Sequence, residues 1–267
     1  MHIQNKTITA FLILILSTVS LISQNSLFHE RKGESFLKLK PFINVSNIRP
    51  DLIISVTGGL SLPLADLKGD LSTVSLTNGA TSSRAYFEKY GLNFGVQGKL
   101  PVDKKDRLRV IISVAYNFFT NSGSDSSGSS TIEPKLNFFQ FGLGAEYAFM
   151  SAGDITPYFN LEANANIFGG SIDFTDNTSG LTVTAEYNRV TRYGFTASGG
   201  IEKAFTKSFG GFLGVKYCMA NVLGKSSDLT GARELDDDSF VVNGFSVSQR
   251  TISFVGIYLG LSLYIRD

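Results

Sequence analysis

The chain carries no tryptophan, a single cysteine and two histidines among 267 residues, and each scarcity removes a class of chemistry. One thiol, Cys218, can neither build an internal disulfide framework nor supply the several sulfurs of a zinc or iron–sulfur site. The histidines are His2 and His29, near the start of the chain, so a nucleophile in the later segments has no imidazole beside it. No enzyme activity and no cofactor or metal are expected. An excess of one charge is lacking too: 24 Lys plus Arg against 23 Asp plus Glu leave +1, so nothing argues for a nucleic-acid partner. After the first 23 residues there is no apolar run of about 20, the length a membrane-crossing helix needs. The other way to satisfy every backbone hydrogen bond in lipid is a closed barrel of strands.

At the start of the chain, Lys6 precedes the apolar run Ile8 to Leu16, followed by the more polar Ser17, Thr18 and Ser20. This basic, apolar, polar order is that of a secretory signal. Residues 1–23 are therefore expected to be an export signal, cleaved around Ser23 and Gln24 with Ser20 as a competing site. Residues 24–50 read as a periplasmic extension, and 51–267 as one barrel domain.

Alternation with a period of two recurs through that domain. In residues 107–119, Leu108, Val110, Ile112, Val114, Tyr116 and Phe118 share one face, while Arg107, Arg109, Ser113, Ala115 and Asn117 share the other. Residues 139–149 set Phe139, Phe141, Leu143 and Tyr147 against Gln140, Gly142, Gly144 and Glu146. Similar segments cover 52–64, 88–100, 156–168, 191–203, 209–219 and 251–265, making eight. Each has the roughly 9–11 residues that cross a hydrocarbon layer at a tilt. The fold expected is all-β: an eight-stranded antiparallel transmembrane barrel in an up-and-down meander. Connections alternate between short (101–106, 151–155, 204–208) and long (65–87, 120–135, 169–190, 220–250). That asymmetry puts the short turns and both termini on the periplasmic side. The Ser/Gly stretch from Asn121 to Thr131 reads as a mobile loop tip.

The stretches Tyr-Gly-Leu-Asn-Phe-Gly-Val (90–96), Phe-Gly-Leu-Gly-Ala-Glu-Tyr (141–147) and Tyr-Gly-Phe-Thr-Ala-Ser-Gly-Gly (193–200) resemble those of small outer-membrane proteins of the porin-like, OmpA-type transmembrane barrel superfamily. The resemblance covers roughly residues 50–267. The Ser-Gln at 23–24 is similar to signal ends of Bacteroidetes-type bacteria. The chain departs from the family in two ways: no peptidoglycan-binding domain follows the barrel, and Tyr264-Ile265-Arg266-Asp267 lacks the terminal Phe. The resemblance implies an outer-membrane fold and carries over no catalytic residue.

An eight-stranded barrel is just wide enough for its own side chains to fill it. The inward parity collects Lys99, Arg107, Arg109, Glu146, Glu162, Arg192, Glu202 and Lys216, with Asn93, Gln97, Gln140, Asn160, Asn164 and Asn166. In a low-dielectric enclosure such charges must be paired, so an internal charge network is expected. If residues 120 and 135 face each other across a hairpin, Arg109 faces Glu146, with Lys99 near by. In the last long loop, Glu234, Asp236, Asp237 and Asp238 could offer oxygens to a Ca²⁺ ion or a partner, but their spacing is not that of an EF-hand and a solvated acidic loop is the simpler reading. Expected partners are outer-membrane lipid or lipopolysaccharide, and an envelope protein engaged through residues 24–50 or the long loops. The leading functional expectation is a non-catalytic structural or interaction subunit of the outer membrane. A narrow porin or small-solute channel comes second, and a soluble β-sandwich or lipocalin-like binding protein third.

Overall fold

The computed structural model describes residues 50–71, 86–103, 106–149, 155–225 and 250–266. These belong to the larger of two compact units, Val45–Asp267. The expected signal, the extension apart from Pro50, and the acidic residues Glu234 to Asp238 lie outside the described residues.

The strands are β1 (Leu52–Ala65), β2 (Tyr90–Pro101), β3 (Leu108–Thr120), β4 (Gly123–Ser124), β5 (Ser130–Ala148), β6 (Ile155–Asp176), β7 (Thr182–Ala204), β8 (Phe209–Leu223) and β9 (Ile252–Ile265). Eight of them form the wall, each antiparallel to the next, and β4 is a two-residue addition to the β5 hairpin. β3 pairs with β5, and β1 pairs along its whole length with β9, so the sheet closes on itself as a meander. Closure gives every wall strand two ladder neighbours, which is what a backbone in lipid requires.

Side chains alternate across the wall as the period-two pattern demands. Leu60, Leu143 and Leu259 are 62%, 61% and 65% exposed, while Ser61, Glu146 and Ser262 on the other parity are buried. Exposed Tyr147, Phe149, Phe159, Phe205 and Phe209 ring the short-turn end, and Tyr90, Phe139 and Tyr193 mark the opposite rim. Along β5 the outward apolar run from Phe139 to Phe149 spans roughly 25 Å at the usual strand rise and tilt, the height of a lipid-facing band with aromatic girdles. Above it the outward face turns polar, where Lys135 bonds Asp173 at 2.8 Å and Thr184 donates to the same carboxylate at 2.7 Å.

Two of the expected long loops are mostly strand. β5 begins at Ser130, β6 continues to Asp176 and β7 starts at Thr182, so 120–135 and 169–190 prolong the sheet beyond the apolar band. The pairings Glu133↔Asp173 and Asp173↔Thr184 lie in that extension. Polar outward residues there erased the apolar/polar alternation, and the register shift between Phe168 and Gly170 moved its parity. The Ser/Gly stretch folds into a bonded turn: the Asp125 carboxylate accepts from the Ser130 N–H at 3.0 Å and the Ser127 hydroxyl at 2.5 Å, and the Asp125 N–H donates to the Ser130 carbonyl. Leu71, Phe87 and Ile132 form a small apolar cluster with Ile172 and Phe174 on the extension.

The outward band can be tested at its middle. Leu143→Arg should destabilise the barrel in lipid by about 2–4 kcal/mol, the usual cost of a midplane cation. Lys135→Ala, above the band, should change stability by less than about 1 kcal/mol. Reversible unfolding from liposomes measures both, and a Leu143→Arg variant as stable as the parent would contradict a lipid-facing wall.

Candidate functional site

Among the described residues, polar and charged side chains gather in the lumen, and they are layered. At the short-turn end the inward positions of β2, β3, β5 and β7 carry Lys99, Arg109, Glu146 and Glu202. The register places Arg109 opposite Glu146, as the hairpin arithmetic gives. Arg109 Nη1 donates to Glu146 Oε1 at 2.9 Å and to Glu202 Oε2 at 2.6 Å, and Lys99 Nζ donates to Glu146 Oε2 at 2.8 Å. Two further residues join that the charge pattern did not single out. Asp106, from the turn before β3, takes the Nε and Nη2 of Arg109 at 2.9 Å each, and the Tyr264 hydroxyl donates to Glu202 Oε1 at 2.8 Å. Every oxygen of Glu146 and Glu202 is thus occupied by a donor, the condition for holding charges at 0–5% side-chain exposure.

Over this floor lies an aromatic tier. Tyr158, Phe212 and Tyr258 pack together, with the two tyrosine hydroxyls bonded at 2.8 Å. Lys99 Nζ stands 5.1 Å from the Tyr158 ring centre and 5.3 Å from that of Phe212, a cation–π contact on both. Room for these rings comes from glycines: a Cβ on Gly214 would fall 2.6 Å from the Tyr258 ring and 2.7 Å from the Tyr158 hydroxyl, and one on Gly260 would collide with Phe212.

The middle of the lumen is amide and hydroxyl. The Asn117 amide donates to Gln140 at 3.3 Å, Gln140 donates to the Thr196 hydroxyl at 3.0 Å, and Asn164 is bonded to the same hydroxyl at 2.7 Å. Glu162 accepts from Asn160 at 2.9 Å and from the Ser113 hydroxyl. Asn93 donates to Ser61 at 3.0 Å, and Gln97 stands on the same wall. Asn166 donates to the Ala220 carbonyl at 2.7 Å.

The expected single charge network is therefore divided. Lys99, Arg109, Glu146 and Glu202 come together. Glu162 belongs to the amide layer, with Lys216 nearby but, among the described residues, no carboxylate within ion-pair distance of it. Arg192 is buried near the opposite end, where its Nη1 donates to the Thr191 carbonyl at 3.0 Å. Arg107 is half-buried in the turn before β3, at the rim of the floor.

At the long-loop end the lumen holds a cluster of apolar side chains. Phe119, Phe138, Phe168 and Phe254 are buried with Leu136, Cys218, Ala220 and Ile252, and Leu67 and Tyr86 enter from the β1–β2 connection. Ring centres lie 4.6 Å apart for Phe138 and Phe168 and 5.2 Å apart for Phe119 and Phe254. The Arg250 guanidinium stacks 5.0 Å above Tyr86. The inward parity of Phe119, Phe168 and Phe254 was the available signal for this plug. Glu88, also from the β1–β2 connection and 1% exposed, accepts a hydrogen bond from the Leu136 N–H, and its Oε2 meets no partner among the described residues. Burial outweighs that bond and raises the carboxyl to about 9.

The floor and the buried carboxyl each lend themselves to measurement. Glu146→Gln should cost about 3–5 kcal/mol in detergent–urea unfolding, the scale for breaking a buried pair. Because Lys99 has no other ion-pair partner among the described residues while Arg109 keeps Glu202 and Asp106, adding Lys99→Met should recover more of the loss than adding Arg109→Met; equal recovery would contradict this division of roles. For Glu88, a folded value of about 9 against an unfolded 4.5 means the folded state binds the proton more tightly. Stability should then decline as pH rises from 4.5 to 9, by up to about 1.4 kcal/mol per unit, and level off above. Glu88→Gln should flatten that window in the same unfolding assay.

No protein-family model and no curated protein matches the chain. Among solved structures, it is similar to Neisserial surface protein A (TM-score 0.45, 12% identity, 80% of this chain and 97% of that one). It is also similar to OprG from Pseudomonas aeruginosa, an outer membrane protein (TM-score 0.42, 12% identity, 84% and 99%). The attachment invasion locus protein Ail of Yersinia pestis gives a TM-score of 0.39 at 11% identity, covering 81% of this chain and 99% of that one.

Proposed function

We propose that this chain is a non-catalytic structural or interaction subunit of the bacterial outer membrane, with its short turns and termini in the periplasm. The observation that carries the reading is the double closure of the lumen. A fully paired charged floor and an aromatic tier block one end, and a packed apolar plug blocks the other. Phe119, Phe138 and Phe254, at 0% exposure, fill much of that end among the described residues. With transport disfavoured, recognition falls to the wall, the sheet extension, the long connections and residues 24–50, against lipopolysaccharide, other lipid or an envelope protein. No histidine lies among the described residues, which supports a role without catalysis.

A narrow channel is the second reading, favoured by the charged and amide-lined layers of the lumen. Planar-bilayer recording separates the two. Purified protein should give no reproducible single-channel steps beyond a mock preparation; steps that change when Phe138 and Phe254 are replaced by Ala would establish a channel through the plug. Mild membrane extraction and pull-down of the native chain would then identify a bound partner.

A further inference from the structure

Between the charged and aromatic tiers below and the plug above lies a small polar chamber at mid-height. It has a volume of about 30 Å³ and is lined by Asn93, Gln97, Glu162, Thr196, Lys216 and Tyr258 among others. A single water needs about 10–15 Å³ and two to four polar partners, so both room and partners suffice.

Lys216 sets the demand. Its neighbours on the inward face of β8, Gly214 and Cys218, are buried, yet Lys216 keeps accessible surface, and the chamber is the space it lines. Its ammonium lies 5.6 Å from the centre of the Phe254 ring, which satisfies one side of the charge. Among the described residues no carboxylate lies within 4.0 Å of it. An ammonium has three donors and accepts nothing, and leaving them unmet in a low-dielectric interior costs more than immobilising a water. The facing Glu162 already accepts from Asn160 and Ser113, so it can be reached through a bridge without surrendering either bond.

We infer that the chamber is a water-binding site, in which buried water links the Lys216 ammonium to the Glu162 side of the lumen. A small anion is the competing ligand chemistry. It would answer Lys216, but it would sit in the same chamber as the Glu162 carboxylate, whereas water can donate to one group and accept from the other.

Lysine-labelled protein in detergent micelles gives the direct test. Cross-relaxation between the Lys216 ammonium and water should carry the sign of a long-lived, trapped molecule, and Lys216→Met should remove the long-lived water contacts at Thr196 and Tyr258. Crystals grown in chloride and soaked in bromide should show water density and no anomalous peak in the chamber. A bromide peak would make the site an anion site and overturn the inference. A dry chamber, or a direct contact between the Lys216 Nζ and the Glu162 carboxylate, would overturn it too. The wild-type spectrum and crystal decide the matter even if the Lys216→Met variant fails to fold, which its migration on unheated gels would reveal. Channel activity is a separate readout, so a failure here stays distinguishable from a failure of the sealed-lumen reading.

Discussion

All 14 residues of β1 pair with β9, and on that seam the rest of the molecule depends. Remove it and two strands acquire open edges, each a row of amide groups without partners in hydrocarbon. The seam also fixes the circumference, and with it how much side chain the lumen must hold. Ser55 and Ser262 face each other across it, their hydroxyls 2.9 Å apart, so two small residues sit where the wall closes. The larger groups, Tyr158, Phe212 and Tyr258, face into space that glycines elsewhere provide.

Filling a lumen of this width raises a conflict between charge and desolvation. A buried ion pair often stabilises no more than an apolar core of equal volume would. The floor settles this by saturation: the guanidinium of Arg109 meets three carboxylates and Glu146 meets two cations. The opposite end relies on packed rings, with the Arg250 guanidinium stacked on Tyr86. The two ends are therefore closed by different physics. One responds to the removal of a single charge, while the other responds to loss of packed volume.

Much of this was legible in residue order, and the limits were physical. Strand count, parity and the Arg109–Glu146 register follow from apolar residues facing lipid, a strict rule wherever hydrocarbon surrounds the wall. The rule lapses above the band: Glu133, Lys135 and Asp173 face outward into a polar medium, so β5, β6 and β7 looked like loops there. Asp106 was invisible as a partner of Arg109 because its placement depends on the turn backbone, where it adopts a positive φ of 53°. The plug departs from the expectation of a polar inward face, although Phe119, Phe168 and Phe254 share that parity. The extension toward solvent and the plug toward the lumen are both departures from one uniform pattern along a strand.

The outward band has a consequence for the lipid itself. A helix of unsuitable length can tilt to hide its excess, but a wall locked by eight ladders keeps its height. Its apolar belt, roughly 25 Å tall, meets a hydrocarbon layer that averages about 30 Å in ordinary bilayers and is thinner in the bacterial outer membrane. The polar Lys135–Asp173 pair just above the belt resists sinking deeper. A thin hydrocarbon layer would therefore meet the belt without strain, whereas in a layer of ordinary thickness the acyl chains beside the wall would have to shorten their reach, which favours partition into the thinner membrane.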